Sequence, residues 1–177
     1  MPNNLILIAL PDEAPSLEGC RGVKFTGLGK VNAASNAARL IERVKPTRVF
    51  NFGTAGGITV GPGFYKCTTF IERDMIISDM GKVHHHVLGP ITMGEGGLRL
   101  STGDNFVTDS STITDADLVD MEGYAIARVC KALDIEFHCY KYVSDHADSN
   151  ANEHWLANVH IGQEHYKKIL REFGIEC

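Results

Sequence analysis

The chain has 177 residues, 44% hydrophobic and 22% charged, with a formal net charge of -5. This is the balance of a globular protein, and the length suits one domain over residues 1–177 with a sizeable core. An acidic chain without a basic block excludes a nucleic-acid backbone as partner, and no apolar run is long enough to cross a bilayer, which leaves small molecules as ligands.

The first residues, Met-Pro-Asn-Asn before a short apolar stretch, lack the basic region of a secretory signal, so a cytoplasmic location is predicted. Leu5 to Leu10 is a continuous apolar run ended by Pro11 and reads as a strand buried on both faces. Gly22 to Thr26 fits a second strand. Val31, Ala34, Ala38 and Ile41 recur at helical spacing before Pro46, predicting a helix from Lys30 to Lys45 whose small side chains let it lie close on a sheet. Arg48 to Phe52 is the next strand and opens into Gly53-Thr54-Ala55-Gly56-Gly57. Further strands are expected at Lys66 to Glu72 and Leu98 to Ser101, then a helix from about Asp120 to Leu133 and a strand from Phe137 to Val143. Trp155, Val159, Gly162, Tyr166, Ile169 and Phe173 follow one helical stripe, with Gly174 as the stop. Strands interleaved with helices predict an α/β fold of three layers, a mixed or mostly parallel sheet flanked by helices.

Five scattered cysteines, odd in number and without a Cys-x-x-Cys pair, read as reduced and mostly buried thiols. His84-His85-His86 makes a poor metal site, because successive side chains of an extended segment point to opposite faces. Gly27-Leu28-Gly29-Lys30 lies between a strand and a helix, but Asn32 stands where a dinucleotide loop needs its third glycine and Lys24 where a phosphate loop needs its first. No cofactor is therefore expected. The glycines from Gly53 to Gly57 would let backbone approach a ligand, or simply make a tight turn. Asp120-Met121-Glu122 has an ordinary explanation in the helix dipole. Open sheets gather ligands beyond the C-terminal ends of their strands, and four polar or glycine-rich segments fall there: Pro11-Asp12-Glu13, Gly53 to Gly57, Thr102 to Val107 and Ser144 to Asp148.

Taken in order, Phe25-Thr-Gly-Leu-Gly-Lys-Val-Asn-Ala-Ala, Asn51-Phe-Gly-Thr-Ala-Gly-Gly, Thr102-Gly-Asp-Asn-Phe-Val, Val119-Asp-Met-Glu-Gly-Tyr-Ala-Ile-Ala-Arg-Val-Cys and Val143-Ser-Asp-His-Ala-Asp resemble the purine nucleoside phosphorylase and nucleosidase superfamily. The resemblance runs from Leu5 to about Ile169 and is strongest to the methylthioadenosine/S-adenosylhomocysteine nucleosidases. It implies a nucleoside phosphorylase-like fold, a homodimer, and cleavage of the N-glycosidic bond of a purine nucleoside. By position, Asp145 would protonate purine N7, with Ser144 placing it. Glu122 would hold the ribose hydroxyls, with backbone at Met121 and Asp120 lining the sugar. Phe106 would stack on the base while the main chain at Val107 reads its edge. Thr54, Ala55 and Gly56 fall in the substrate-binding glycine segment. Glu13 would activate water, with Asp12 the alternative if the first loop slides by one residue. Asp145 must then be protonated and Glu13 ionised, a separation that burial and neighbours must supply.

Phosphorylases of this superfamily carry arginines beneath the sugar, where this chain has Asn51-Phe52 and Leu10-Pro11-Asp12-Glu13. Two carboxylates repel phosphate, so hydrolysis is expected, with phosphorolysis or a catalytically inactive nucleoside-binding protein as alternatives. The stretch from Gly57 to Ser101 is shorter than in the nucleosidases, which leaves room for another purine nucleoside, or a nucleotide contacted by Arg73, Lys82 and the histidines.

Overall fold

The computed structural model describes residues 3–75 and 89–177. Among them lie eight strands: β1 (Asn4–Ile8), β2 (Val23–Phe25), β3 (Arg48–Gly57), β4 (Gly63–Glu72), β5 (Ile91–Thr92), β6 (Leu98–Thr102), β7 (Leu118–Asp120) and β8 (Glu136–Asp145). The helices are α1 (Lys30–Val44), α2 (Gly123–Ala132), α3 (Ala151–Asn158) and α4 (Gln163–Glu172), and short 3₁₀ turns cover Pro11–Glu13 and Pro15–Leu17.

Alternation along β1 explains the layers, since successive side chains of a strand point to opposite faces. Leu5 and Leu7 pack with Ala33, Ala37 and Leu40 of α1 and with Ile126 and Cys130 of α2. Ile6 and Ile8 face the other way, toward Phe50, Phe52 and the Tyr166 and Leu170 side chains of α4. A strand covered by helices on both faces has no reason to carry polar residues, and the run Leu-Ile-Leu-Ile is the result. The sheet is mixed: β1 pairs parallel with β2 and β3, and β3 parallel with β8, while β8 runs antiparallel to β4. Through β4–β6, β6–β7 and β7–β3, the strands β3, β8, β4, β6 and β7 close a ring.

The long strand β3 positions the site. One edge pairs with β8 along its length, with a register shift at Ala55/Gly56. Its other edge pairs with β1 from Arg48 to Asn51 and with β7 only at Gly56 and Gly57. Between these two partners the edge is open, and the chain leaving β1 turns into it.

Several expected elements differ. The segment Gly53 to Gly57 is the second half of β3 rather than a turn, because β8 supplies ladder partners throughout it. Asp120 ends the short strand β7, which the expected helix start had absorbed, and α2 begins at Gly123. On α1 the buried positions are Ala33, Ala37, Leu40 and Ile41, while Val31 is 78% exposed. Alanines at so many positions satisfy more than one helical register, and packing against α2 selects this one. The predicted last helix is two, α3 and α4, divided before Gly162, where a Cβ would lie 2.4 Å from the Tyr166 hydroxyl and 2.7 Å from Tyr142 Cβ.

The cysteine expectation is corrected as well. Cys67, Cys130 and Cys139 are free and buried, but Cys20 and Cys177 form a disulfide with Cα atoms 5.1 Å apart. The chain after α4 returns Ile175 to the cluster that holds Cys20, a contact across 157 residues that spacing alone cannot reveal. The reading of His84 to His86, like that of Lys82, lies outside the described residues. No helix among the described residues is long and apolar enough to cross a membrane.

Candidate active site

A cleft of about 310 Å³ opens at the gap in the edge of β3, lined by residues that include Ala9, Leu10, Glu13, Thr54, Ala55, Gly56, Phe106, Val107, Asp120, Met121, Glu122 and Asp145. The 3₁₀ turn after β1 carries Glu13 into it. Pro11 opens that turn with its φ already set, and Glu13 N–H donates back to Leu10 O at 3.2 Å. The Glu13 carboxylate is 4% exposed. Its Oε1 accepts from Thr54 N at 2.7 Å and Thr54 Oγ1 at 2.8 Å, and its Oε2 accepts from Leu10 N at 3.1 Å. The Thr54 N–H would otherwise be an unpaired donor on the open edge of β3, and the carboxylate takes the place of the missing strand. Asp12, one residue earlier, is exposed and does not line the cleft.

Across the same stretch of sheet, β8 runs two residues beyond the predicted strand and ends in Ser144 and Asp145, both buried. Asp145 Oδ2 lies 2.8 Å from Ser144 Oγ, and Oδ1 accepts from Ala147 N at 2.9 Å. Burial pushes the Asp145 carboxyl above its ordinary value, against the two hydrogen bonds, with Asp148 adding to the rise. His146 is exposed, and Asp148 accepts from Asn150 N at 2.9 Å in the turn before α3, so both support the loop. Gly56 is the neighbour that makes this approach possible, since a Cβ there would sit 2.9 Å from Asp145 Oδ1.

The third group comes from the link between β7 and α2. Glu122 is 6% exposed and its Oε1 accepts from Gly29 N at 2.8 Å. Gly29 takes φ 86°, a left-handed conformation that favours glycine, to aim that N–H. Burial, then Asp120 and Glu13, push Glu122 up to about 8 against the pull of Lys141. Lys141 was not among the residues expected at the site. It is fully buried in β8 and pairs with Asp120 Oδ2 at 2.9 Å. Burial pulls its ammonium down, but Asp120 above all, with Cys139, Glu122 and Glu13, raises it on balance. Asp120 also accepts from Thr102 Oγ1 at 2.6 Å and Gly123 N at 2.8 Å, so its side chain braces the start of α2 while its main chain borders the cleft.

Phe106 and Val107 form the remaining wall, on the loop after β6. Arg73 organises that loop. Its Nη1 donates to Ser101 O at 2.9 Å and Asp120 O at 3.0 Å, and its Nη2 to Asn105 O at 2.7 Å and Asn105 Oδ1 at 3.1 Å. Arg73 lines the cleft while it holds these acceptors. Trp155 and Asn152 from α3, and Leu28 before α1, complete the lining. No role at the cleft was expected for these three: Trp155 read as part of a helical stripe and Leu28 as part of a glycine loop. Glu13, Thr54, Ala55, Gly56, Phe106, Val107, Asp120, Met121, Glu122 and Asp145 thus converge on the cleft, with Ser144 behind Asp145, while Asp12 stays outside it.

Among the described residues no group of three or more His, Cys, Asp or Glu is arranged to hold a metal ion. The arrangement offers instead a buried carboxylate with fixed donors, a second carboxyl raised by burial, and an aromatic wall.

Comparison with known proteins agrees with this geometry. A 5′-methylthioadenosine/S-adenosylhomocysteine nucleosidase of Exiguobacterium sp. is 29% identical, over 72% of this chain and 68% of the relative. The nucleosidase of the same name from Anoxybacillus flavithermus is 28% identical, over 77% of this chain and 73% of the relative. Among solved structures, a futalosine hydrolase mutant of Helicobacter pylori superposes with a TM-score of 0.85 at 18% identity, covering 97% of each chain. An MTAN mutant of the same organism with 5′-methylthioadenosine in its active site superposes at 0.84 and 18%, covering 97% of this chain and 99% of that one. These two likenesses establish the nucleoside phosphorylase-like fold. The model of the phosphorylase superfamily matches residues 20–79 and 102–173, and the chain belongs to that superfamily.

Proposed function

We propose that this protein is a nucleosidase that hydrolyses the N-glycosidic bond of a purine nucleoside, of the methylthioadenosine or adenosylhomocysteine kind or a related one. The observation that carries this reading is the Glu13 carboxylate, buried in the cleft with Oε1 already accepting two hydrogen bonds. A carboxylate oxygen has two lone pairs, so Oε1 is filled and Oε2, which among the described residues accepts only from Leu10 N, keeps a position for water.

Asp145, raised by burial, carries the proton that goes to purine N7, and a protonated purine leaves more readily. Ser144 and the Ala147 N–H fix the carboxyl plane. As the bond to the base breaks, positive charge grows on the sugar. Glu122 accepts from the ribose hydroxyls there and favours the cationic sugar of the transition state. Phe106 stacks on the base, the main chain at Val107 reads its edge, Met121 and Asp120 border the sugar, and Thr54, Ala55 and Gly56 form the floor. Water, taken by Glu13, adds to the sugar carbon as the base departs. No cofactor takes part.

Phosphate is a poor fit to the same floor. Four carboxyl groups border it, and of the described cationic groups nearby, Arg73 donates to the main-chain oxygens of Ser101, Asp120 and Asn105, and Lys141 pairs with Asp120. The resemblance also supports a homodimer, and a reducing compartment would open the Cys20–Cys177 bridge. The test is a panel of purine nucleosides, futalosine-type nucleosides and nucleotides, incubated with and without phosphate. Free base and free sugar in phosphate-free buffer are expected. Strict phosphate dependence with a sugar 1-phosphate product would establish a phosphorylase, and tight binding without base release an inactive binding protein.

A further inference from the structure

Trp155 is the only tryptophan of the chain and has no part in the chemistry above. Its ring lines the cleft and meets Phe106 edge-on, with ring centroids 6.4 Å apart. Its indole N–H donates to Thr54 Oγ1 at 3.0 Å. Thr54 Oγ1 in turn lies 2.8 Å from Glu13 Oε1.

The direction of these bonds follows from the groups themselves. An indole nitrogen only donates, a carboxylate only accepts, and a hydroxyl has one hydrogen to give. Thr54 Oγ1 must therefore accept from Trp155 and donate to Glu13. Without the indole, the hydroxyl is a rotor with other acceptors to choose from. With it, one lone pair is filled and the hydrogen is left pointing at Oε1. Two donors from Thr54 on one oxygen fix the plane of the carboxylate and direct Oε2 to its remaining task.

We propose that Trp155 is a positioning residue for Glu13, acting through the Thr54 hydroxyl, and that it joins the base wall at Phe106 to the water side of the cleft. The proposal rests on the reading of Glu13 as the group that activates water. A phenylalanine at 155 would keep an aromatic ring on the side of Phe106 and would lose the donor, and the Thr54 backgrounds separate that loss from the smaller size of the ring. Losing one hydrogen bond between neutral groups corresponds to about 3- to 10-fold in rate.

The test joins spectroscopy to a double-mutant cycle on the full chain. With a single tryptophan, the ¹⁵N-labelled protein gives one indole N–H resonance. Thr54→Val is expected to move it upfield and hasten its exchange with solvent, whereas Thr54→Ser, which keeps the hydroxyl, leaves it near the wild-type position. In turnover, Trp155→Phe is expected to lower kcat about 3- to 10-fold with little change in KM. The same substitution should cost as much in the Thr54→Ser background and nothing further in Thr54→Val, as expected of groups that act as a unit. Thr54→Ala serves in the same way as Thr54→Val if the latter does not fold.

An indole resonance unmoved by loss of the hydroxyl overturns the proposal. So does a Trp155→Phe enzyme with wild-type kcat beside an inactive Glu13→Gln, and that result leaves the assignment of Glu13 standing. Wild-type turnover by Glu13→Gln overturns the assignment itself, whatever Trp155 does.

Discussion

Two carboxyl groups in one cleft have to be kept in different states, and the surroundings of each residue show how. Glu13 receives three donors and Asp145 two, and burial raises Asp145, with Asp148 adding to the rise. In the proposed mechanism protonated Asp145 is the active form, so base release should fall as pH rises through its raised pKa. Asp145→Asn should remove that limb of the pH profile and about 10² to 10⁴ of the rate. Asp12→Asn should leave turnover near wild type, since its side chain is exposed, and a large loss there would return the water-activating role to Asp12. Glu122 bears on stability. Its carboxyl goes from an ordinary 4.5 to about 8 on folding, so between those values the folded chain holds a proton that the unfolded chain has released. The contribution of Glu122 to stability is whole below 4.5 and is lost as pH rises through about 8. Denaturant unfolding across that range should show a steeper decline in the wild type than in Glu122→Gln. Parallel declines would contradict the assigned cause.

At the scale of elements, the site is a consequence of β3 changing partners along one edge. The glycine-rich half of β3 is strand because β8 pairs with it, and it is glycine because other groups press on it. At Gly56 a Cβ would stand 2.9 Å from Asp145 Oδ1 and 3.0 Å from both Ala147 Cβ and Val119 Cγ2. Gly56→Ala should therefore displace the end of β8, with a loss of stability of about 1–3 kcal/mol by overpacking and a fall in kcat larger than any change in KM. Unchanged kcat would mean that Asp145 does not need its present place. Most of these elements were legible in the sequence, because β1, β8 and α1 carry their burial in runs or periods. The strand β7 was not: Leu118 to Asp120 is too short for a pattern, and the carboxylates that follow read as a helix start. Nor was the break between α3 and α4, where six residues kept one stripe across a change of helix. Lys141 was hidden for a related reason, since a lysine between tyrosines gives no sign of lying inward on Asp120.

For the whole molecule, a sheet covered on both faces brings segments as distant in sequence as Glu13, Glu122 and Asp145 to one cleft, and their order along the chain made the site legible through resemblance rather than through any single motif. Long-range contacts such as the disulfide were not legible at all. Cys20–Cys177 closes nearly the whole chain, with a sequence separation of 157, and such cross-links stabilise by about 2–4 kcal/mol, chiefly by restricting the unfolded state. Cys20→Ser should lower the melting temperature of the oxidised protein and have no effect in excess dithiothreitol. A difference that persists in the reductant would place the role of Cys20 in packing. The most direct measurement of the central claim is release of purine base from a nucleoside substrate in phosphate-free buffer by the wild type and by Glu13→Gln. Steady release by the wild type is expected, with Glu13→Gln binding the substrate but releasing base at a rate lower by orders of magnitude. Equal rates from the two proteins, or no release by the wild type until phosphate is added, would contradict hydrolysis by water held at Glu13.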